Sequence, residues 1–454
     1  MKKENFDFMV KYYGDARIKK LIMAQAKNYT YCFGTGKTLV ERGWTFPVKE
    51  VEISRLEELL NDYLDIFFPT RTKEDDDFYI LWDIEYFNRE NPGYIFNREN
   101  QKKIFEWMAP TLDLVEDTLK SYGIKYLIDV TMSGIHVWSK ISTDSEAYEE
   151  FSKEGFMLPS LKAKYSQVVP TDVKRIKVVP VSLGNAFSTA GKIMEYFTHT
   201  LIKENKKINP FKIPVTISDT PQYGEHYSYS GVSSDLTHYA HPIYMRGIRA
   251  FCSLHQKTII NGYEDMGPAI DIIKLPGMSY NDALDIMWDV NKAISFYVKN
   301  FSKKTIKVPE SNEGWLKALK SYTKSSLRKS HKLWEKASVS KPVNLDFNNS
   351  LIKDIFDQSK ANPALLTPGN LQTIAEHFND TGSLLATKKV FSIIAKDYYL
   401  NKSLGWYNPA HYTGINWEKY DAETAADFWG RIYWSLKTSK LGRSKDWQKR
   451  YRSF

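Results

Sequence analysis

The run FYILWDIEYF at residues 78–87 decides how this chain is read. It follows the acidic stretch EDDD at 74–77 and is rich in aromatic and branched side chains, the composition of a strand. On a strand, residues i and i+2 point to one face, so Asp83 and Glu85 present two carboxylates side by side. Such a pair on an otherwise apolar strand repels itself and resists burial unless a cation joins it. Hard oxygen ligands at that spacing favour Mg²⁺ or Mn²⁺. An Asp-x-Glu triplet is also what an ordinary half-exposed strand shows, so the pair needs company.

Upstream, residues 6–26 read as helix, KNYTYCFG at 27–34 as strand, and SRLEELLNDYLDIFF at 54–68 as helix, with apolar residues three and four apart. Downstream, 100–122 is helical and stops at Gly123, and IKYLIDVTMSGIHVWSKI at 124–141 forms two strands around Ser133 and Gly134. Residues 173–183 look like a strand, 186–204 like a helix, and 205–232 like a long loop rich in Pro, Tyr, Ser and Gly. Residues 243–260 return to strand and turn, and 279–301 to helix. From about 310 the pattern is helical almost throughout. The expected architecture is therefore α+β, with a mixed domain at 1–308, a basic helical linker at 309–345 and an all-helical domain at 346–454.

With 454 residues, 42% of them hydrophobic, the chain can bury more than one core, which excludes disorder as its main state. No stretch approaches the ~20 apolar residues of a spanning helix, and the N-terminus lacks the apolar segment of a secretory signal. Two cysteines, Cys32 and Cys252, exclude a disulfide framework, a four-cysteine zinc site and an all-cysteine iron–sulfur cluster within the chain. A cytoplasmic protein without membrane contact is expected. The net charge of +9 concentrates at 316–341 and at 437–454, where lysines and arginines interleave with Trp447 and Tyr451. Cations beside aromatics suit phosphate neutralisation and base stacking, although a solvated helix face and a frayed terminus have the same composition.

Three further signals accompany the acid pair. In TMSGIHVW at 131–138, Ser133, the glycine turn and His136 can offer donors to phosphate oxygens. In RGIRAFCSLHQKT at 246–258, an extended course from Ser253 would place Ser253, His255 and Lys257 on one face, joined by Arg249. Asp235, in SSDLTHY, is a candidate third carboxylate. FGTGKT at 33–38, by contrast, is no phosphate loop: the glycine required five residues before Gly36 is Tyr31. The histidines at 226, 238 and 241 read as loop residues, because no ligand spacing pairs them with cysteine.

The order of these motifs resembles the archaeo-eukaryotic primase superfamily, and looks most like the catalytic small subunit of archaeal and eukaryotic primases, over roughly residues 5–300. Asp83-Ile84-Glu85, then a helix and the Ser133-Gly134 strand, then Asp235, then Arg249 and Ser253-Leu-His255-Gln-Lys257-Thr258 follow the family's succession. Four departures stand out. The Ser-Gly turn is shorter than the family's and lacks its arginine, Ile259 stands where glycine is usual, and Asp235 lies further from the arginine strand. The family's zinc stem is absent too.

The resemblance implies a primase-type core of two small abutting sheets flanked by helices. It implies nucleotidyl transfer onto a 3′-hydroxyl, with Asp83, Glu85 and Asp235 as catalytic metal ligands for two Mg²⁺ or Mn²⁺ ions. Ser133, His136, Arg249, Ser253, His255 and Lys257 would hold the triphosphate. Neither zinc nor an iron–sulfur cluster is expected. Partners would be a single-stranded DNA template, an NTP or dNTP, and other replication proteins such as a helicase. The rival readings are a repair-type polymerase that only extends primers, and an inactive single-strand-binding module.

Overall fold

The computed structural model describes residues 1–26, 29, 31–36, 49–70, 77–88, 91, 93–157, 162, 179–217, 230–240, 247–301 and 305–339. Within them the chain is α+β. The helical domain expected at 346–454, the basic tail, residues 173–178 of the strand expected at 173–183, and His226 and His241 lie outside the described residues, and residues 181–183 begin the helix Val181–Ile208 instead of ending a strand.

Twelve strands are described: β1 (Tyr31–Thr35), β2 (Lys49–Glu52), β3 (Asp65–Pro69), β4 (Asp77–Asn88), β5 (Leu127–Val130), β6 (Gly134–Ser142), β7 (Val215–Ile217), β8 (Ser230–Asp235), β9 (Gly247–Arg249), β10 (Leu254–His255), β11 (Ala269–Ile270) and β12 (Ile272–Lys274). Six form a central sheet in the order β12-β5-β6-β4-β8-β7. All its pairs are antiparallel except β7 with β8. A second sheet runs β2-β1-β3-β9, and β10 pairs with β11.

The 78–87 run makes the longest strand because both of its faces have work. Phe78, Ile80, Trp82, Ile84 and Tyr86 are all buried. They pack on the helix side, where the Trp82 ring lies 5.5 Å from Phe197 of helix Val181–Ile208. The Trp82 indole donates to Ser234 Oγ at 2.8 Å, and that hydroxyl is 2.6 Å from Thr198 Oγ1. Each such buried apolar side chain contributes roughly 1.5–3 kcal/mol. The opposite face carries Asp83 and Glu85.

Helix Arg98–Tyr122 begins at Asn97, whose side chain accepts from the Glu99 and Asn100 amides, and stops at Gly123 with φ 71°. That is the left-handed C-terminal position glycine favours.

Two expected helices are shorter than their periodicity suggests. The one at 54–68 ends as Leu56–Asn61; Tyr63 takes φ 57°, and Asp65–Pro69 becomes β3. The one at 279–301 splits into Tyr280–Met287 and Val290–Phe301, where the Asp289 carboxylate accepts from the Asn291 and Lys292 amides and starts the second piece.

Of the region read as a basic linker, two helices are described, and both dock on the core. In Asn312–Thr323, Trp315 is buried and its indole donates to Ser139 Oγ at 2.9 Å. Ser326–Val339 docks through charge: Arg328 donates to both oxygens of Glu154 at 3.0 Å, Lys332 lies 3.3 Å from Glu154, and Glu335 pairs with buried Lys192. Part of the lysine-rich stretch is thus committed to internal ion pairs, while Lys317, Lys320, Lys324 and Lys329 face solvent. No helix among the described residues is long and apolar enough to cross a membrane.

Candidate active site

Strand register assembles the site. Asp83 of β4 lies directly opposite Asp235 of β8 on one side and His136 of β6 on the other. His136 in turn lies opposite Asp129 of β5. One row across four strands therefore reads Asp235, Asp83, His136, Asp129, all on the face away from Trp82. Glu85, two residues along β4, occupies the next row of that face opposite Ser233. Like charges directly opposite each other disfavour an antiparallel pair, and Asp83 faces Asp235 in this way.

Local structure fixes each member. Strand β8 stops at Asp235, and the Tyr239 hydroxyl takes over its ladder, accepting from Leu81 N at 3.0 Å and donating to Leu81 O at 2.7 Å. Gly134 is needed for close approach: a Cβ there would meet Ile84 O at 1.9 Å and Glu85 Cα at 2.6 Å. That contact brings Ser133 beside β4, where its O accepts from Tyr86 N at 2.8 Å and its hydroxyl donates to Glu85 Oε2 at 3.3 Å. A cleft of about 310 Å³ opens here, lined in part by Glu85, Ser133, Asp235 and Lys257. Four of the nine residues singled out in the sequence line this one cleft.

His136 stands with Nε2 3.8 Å from Asp83 Oδ1 and Nδ1 3.6 Å from Asp129 Oδ2. Burial alone would depress the imidazole, but the carboxylates of Asp83, Asp129 and Asp271 outweigh it and hold its pKa up at about 9. At neutral pH His136 is a cation beside Asp83.

The remaining candidates sit elsewhere on the same face, and their setting corrects the extended reading of 253–257. Only Leu254–His255 is strand; Gln256 turns the chain and Lys257–Ile260 is a helical turn, so Ser253, His255 and Lys257 do not share one face. Ser253 is fully buried, accepting from Ile66 N at 2.7 Å, with Tyr13 OH 3.2 Å away. Its hydroxyl ties β3 to the 250–255 segment. Arg249 is held by Asp65 at 2.5 Å and Asp271 at 3.1 Å, and His255 Nδ1 lies 2.8 Å from Asp271 Oδ1.

Burial pushes Asp65 up to about 6 despite Arg249. For Asp271, burial is outweighed by His255 and Arg249, which hold its carboxyl below the usual range. Burial and then Arg249 drive His255 down to about 4, so it is neutral at pH 7. Arg249, Ser253 and His255 are held by these partners, and Lys257 is the described residue of that motif that lines the cleft.

Sequence reasoning missed Asp65, Asp129 and Asp271. Each is a lone acid in an apolar, β-prone run (DIFF, LIDV, AIDII), the same signal that singled out Asp83 and Glu85.

Among the described residues no group of three or more His, Cys, Asp or Glu side chains is already gathered closely enough to hold a metal ion. The donor chemistry nonetheless fits a hard divalent cation: three carboxylates lie on adjacent strands of one face, two of them directly opposed. No family model matches the chain, and no curated protein or solved structure matches it.

Proposed function

We propose that this chain is a nucleotidyltransferase of the primase-polymerase type, which starts and extends strands on a single-stranded DNA template. The observation that carries the reading is the register of Asp235 against Asp83, with Glu85 one row on, beside a cleft lined by Ser133 and Lys257. Asp83, Glu85 and Asp235 would hold Mg²⁺ or Mn²⁺, which supplies charge at the reacting phosphate and lowers the pKa of the attacking hydroxyl.

The chain's own residues do the rest. Lys257 neutralises a phosphate in the cleft, Ser133 orients Glu85 and offers a hydroxyl, and cationic His136 steadies Asp83. A primase-type core at 1–308 and a C-terminal region at 346–454 that binds template or the initiating nucleotide belong to the same reading.

The experiment is synthesis on unprimed single-stranded DNA with labelled nucleotides and Mg²⁺ or Mn²⁺, using the full chain. Products in the wild type that vanish in Asp83→Asn support strand initiation. Extension only when a primer is supplied makes it a repair-type polymerase, and binding without incorporation makes it a single-strand-binding module.

A further inference from the structure

We infer that Asp129 is a positioning residue: it holds the His136 imidazole from behind, and His136 in turn fixes Asp83. The inference rests on the reading of Asp83 as a metal ligand, and adds a residue that reading does not contain.

Asp129 occupies the middle of β5, flanked by Ile128 and Val130 and paired across β12 with Ile273. These three residues are buried and apolar, and Asp129 itself is wholly buried. A carboxylate in such a place costs stability, and an apolar residue of similar size would normally serve the sheet better. Neither Asp129 oxygen has a hydrogen-bond partner among the described residues. His136 Nδ1, likewise without one, stands 3.6 Å from Oδ2, a gap that a small rotation of the ring closes.

The other ring nitrogen, Nε2, faces Asp83 Oδ1 at 3.8 Å. Register forces this order, since Asp83, His136 and Asp129 are direct cross-strand neighbours on β4, β6 and β5. An imidazole between two carboxylates has its ring plane set by the outer one. The same pairing recurs next door, where buried Asp271 holds His255 Nδ1 at 2.8 Å. There the imidazole is locked into the core, whereas His136 passes its orientation on to the open end of the row.

The test uses the full chain carrying Asp129→Asn, which keeps shape and burial but replaces the carboxylate. Loss of an outer partner of this kind costs roughly 10–100-fold in rate. The expected result is a kcat lower by about that factor, an unchanged KM for nucleotide, and a melting temperature equal to or above the wild type. The double variant with His136→Gln should be no slower than His136→Gln alone, because the two residues act as one unit. A wild-type kcat in Asp129→Asn, losses that multiply in the double variant, or a raised KM with a lowered melting temperature would each overturn the inference.

A second readout is independent of turnover. In ¹⁵N-histidine-labelled protein, with the His136 signal identified by His136→Gln, the Nδ1 resonance should shift in Asp129→Asn. No shift overturns the placement. If the wild type transfers no nucleotide at all, the functional reading fails, and this resonance still decides whether Asp129 holds the ring.

Discussion

At one end of the charged face, Asp65, Asp271, Arg249 and His255 answer one another at 2.5–3.1 Å, with every side chain at most 10% exposed. At the other end, Asp83, Glu85 and Asp235 lie along β4 and β8, and the last two line the cleft with Lys257. The residue types are the same; the balance differs. In the closed half each acid meets a buried cation or imidazole, whereas in the open half three acids lie on two neighbouring strands, with His136 3.8 Å from Asp83 and Lys257 lining the cleft beside Glu85 and Asp235. The closed half holds two sheets together, and the open half places three carboxylates on neighbouring strands beside a cleft. Substitutions in the two halves should therefore fail in different ways.

The largest effect should come from Arg249→Met. It leaves Asp65 and Asp271 buried without their cation, which costs about 3–5 kcal/mol. A denaturant titration should show the midpoint falling accordingly or the chain failing to fold; a stable Arg249→Met protein lacking only activity would move Arg249 into the open half.

Gly134→Ala comes next, at about 1–3 kcal/mol for overpacking, because its methyl group would enter the β4 backbone at Ile84 and Glu85. Thermal unfolding checks it, and a wild-type melting temperature would mean that β4 and β6 can part without cost.

Lys257→Ala should leave stability alone and raise the KM for nucleotide by about 10–100-fold, the loss of one charge-assisted bond. A lowered melting temperature with unchanged KM would place Lys257 with the closed half.

The smallest effect is one of pH. His255 titrates near 4 when folded and near 6.5 when unfolded, so the stability its neutral form permits is present above 6.5 and lost as pH falls through 4. Asp65 and Asp129, both raised to about 6, run the other way over part of that range. The effect is therefore read as a difference: His255→Phe should lose less stability between pH 6.5 and 4 than the wild type does. Identical pH profiles would show that His255 takes up its proton while folded.

The open half was largely legible in the sequence and the closed half was not, and the reason is chain distance. Asp83 and Glu85 declare themselves within one strand through its two-residue period. Asp235 was recognisable as an acid, but its partner lies across a ladder that only the folded sheet defines. For Ser253, His255 and Arg249 the sequence could not show their neighbours, because a basic strand carries no trace of what it will meet. Their partners, Tyr13, Asp65 and Asp271, come from a distant helix, the start of β3 and the step between β11 and β12. The α+β class followed from the alternating patterns. Helix lengths failed where one residue overruled periodicity, as Tyr63 does by its positive φ and Asp289 by capping a new start.

The most direct measurement is Asp235→Asn followed by two readings on one preparation, nucleotide incorporation on single-stranded DNA with Mn²⁺ and thermal unfolding without metal. Relieving the repulsion against Asp83 should leave the melting temperature unchanged or raise it, while incorporation falls below detection. A variant that incorporates nucleotides at the wild-type rate, or one that loses activity only because it unfolds, would contradict the proposal that Asp83, Glu85 and Asp235 form the catalytic centre.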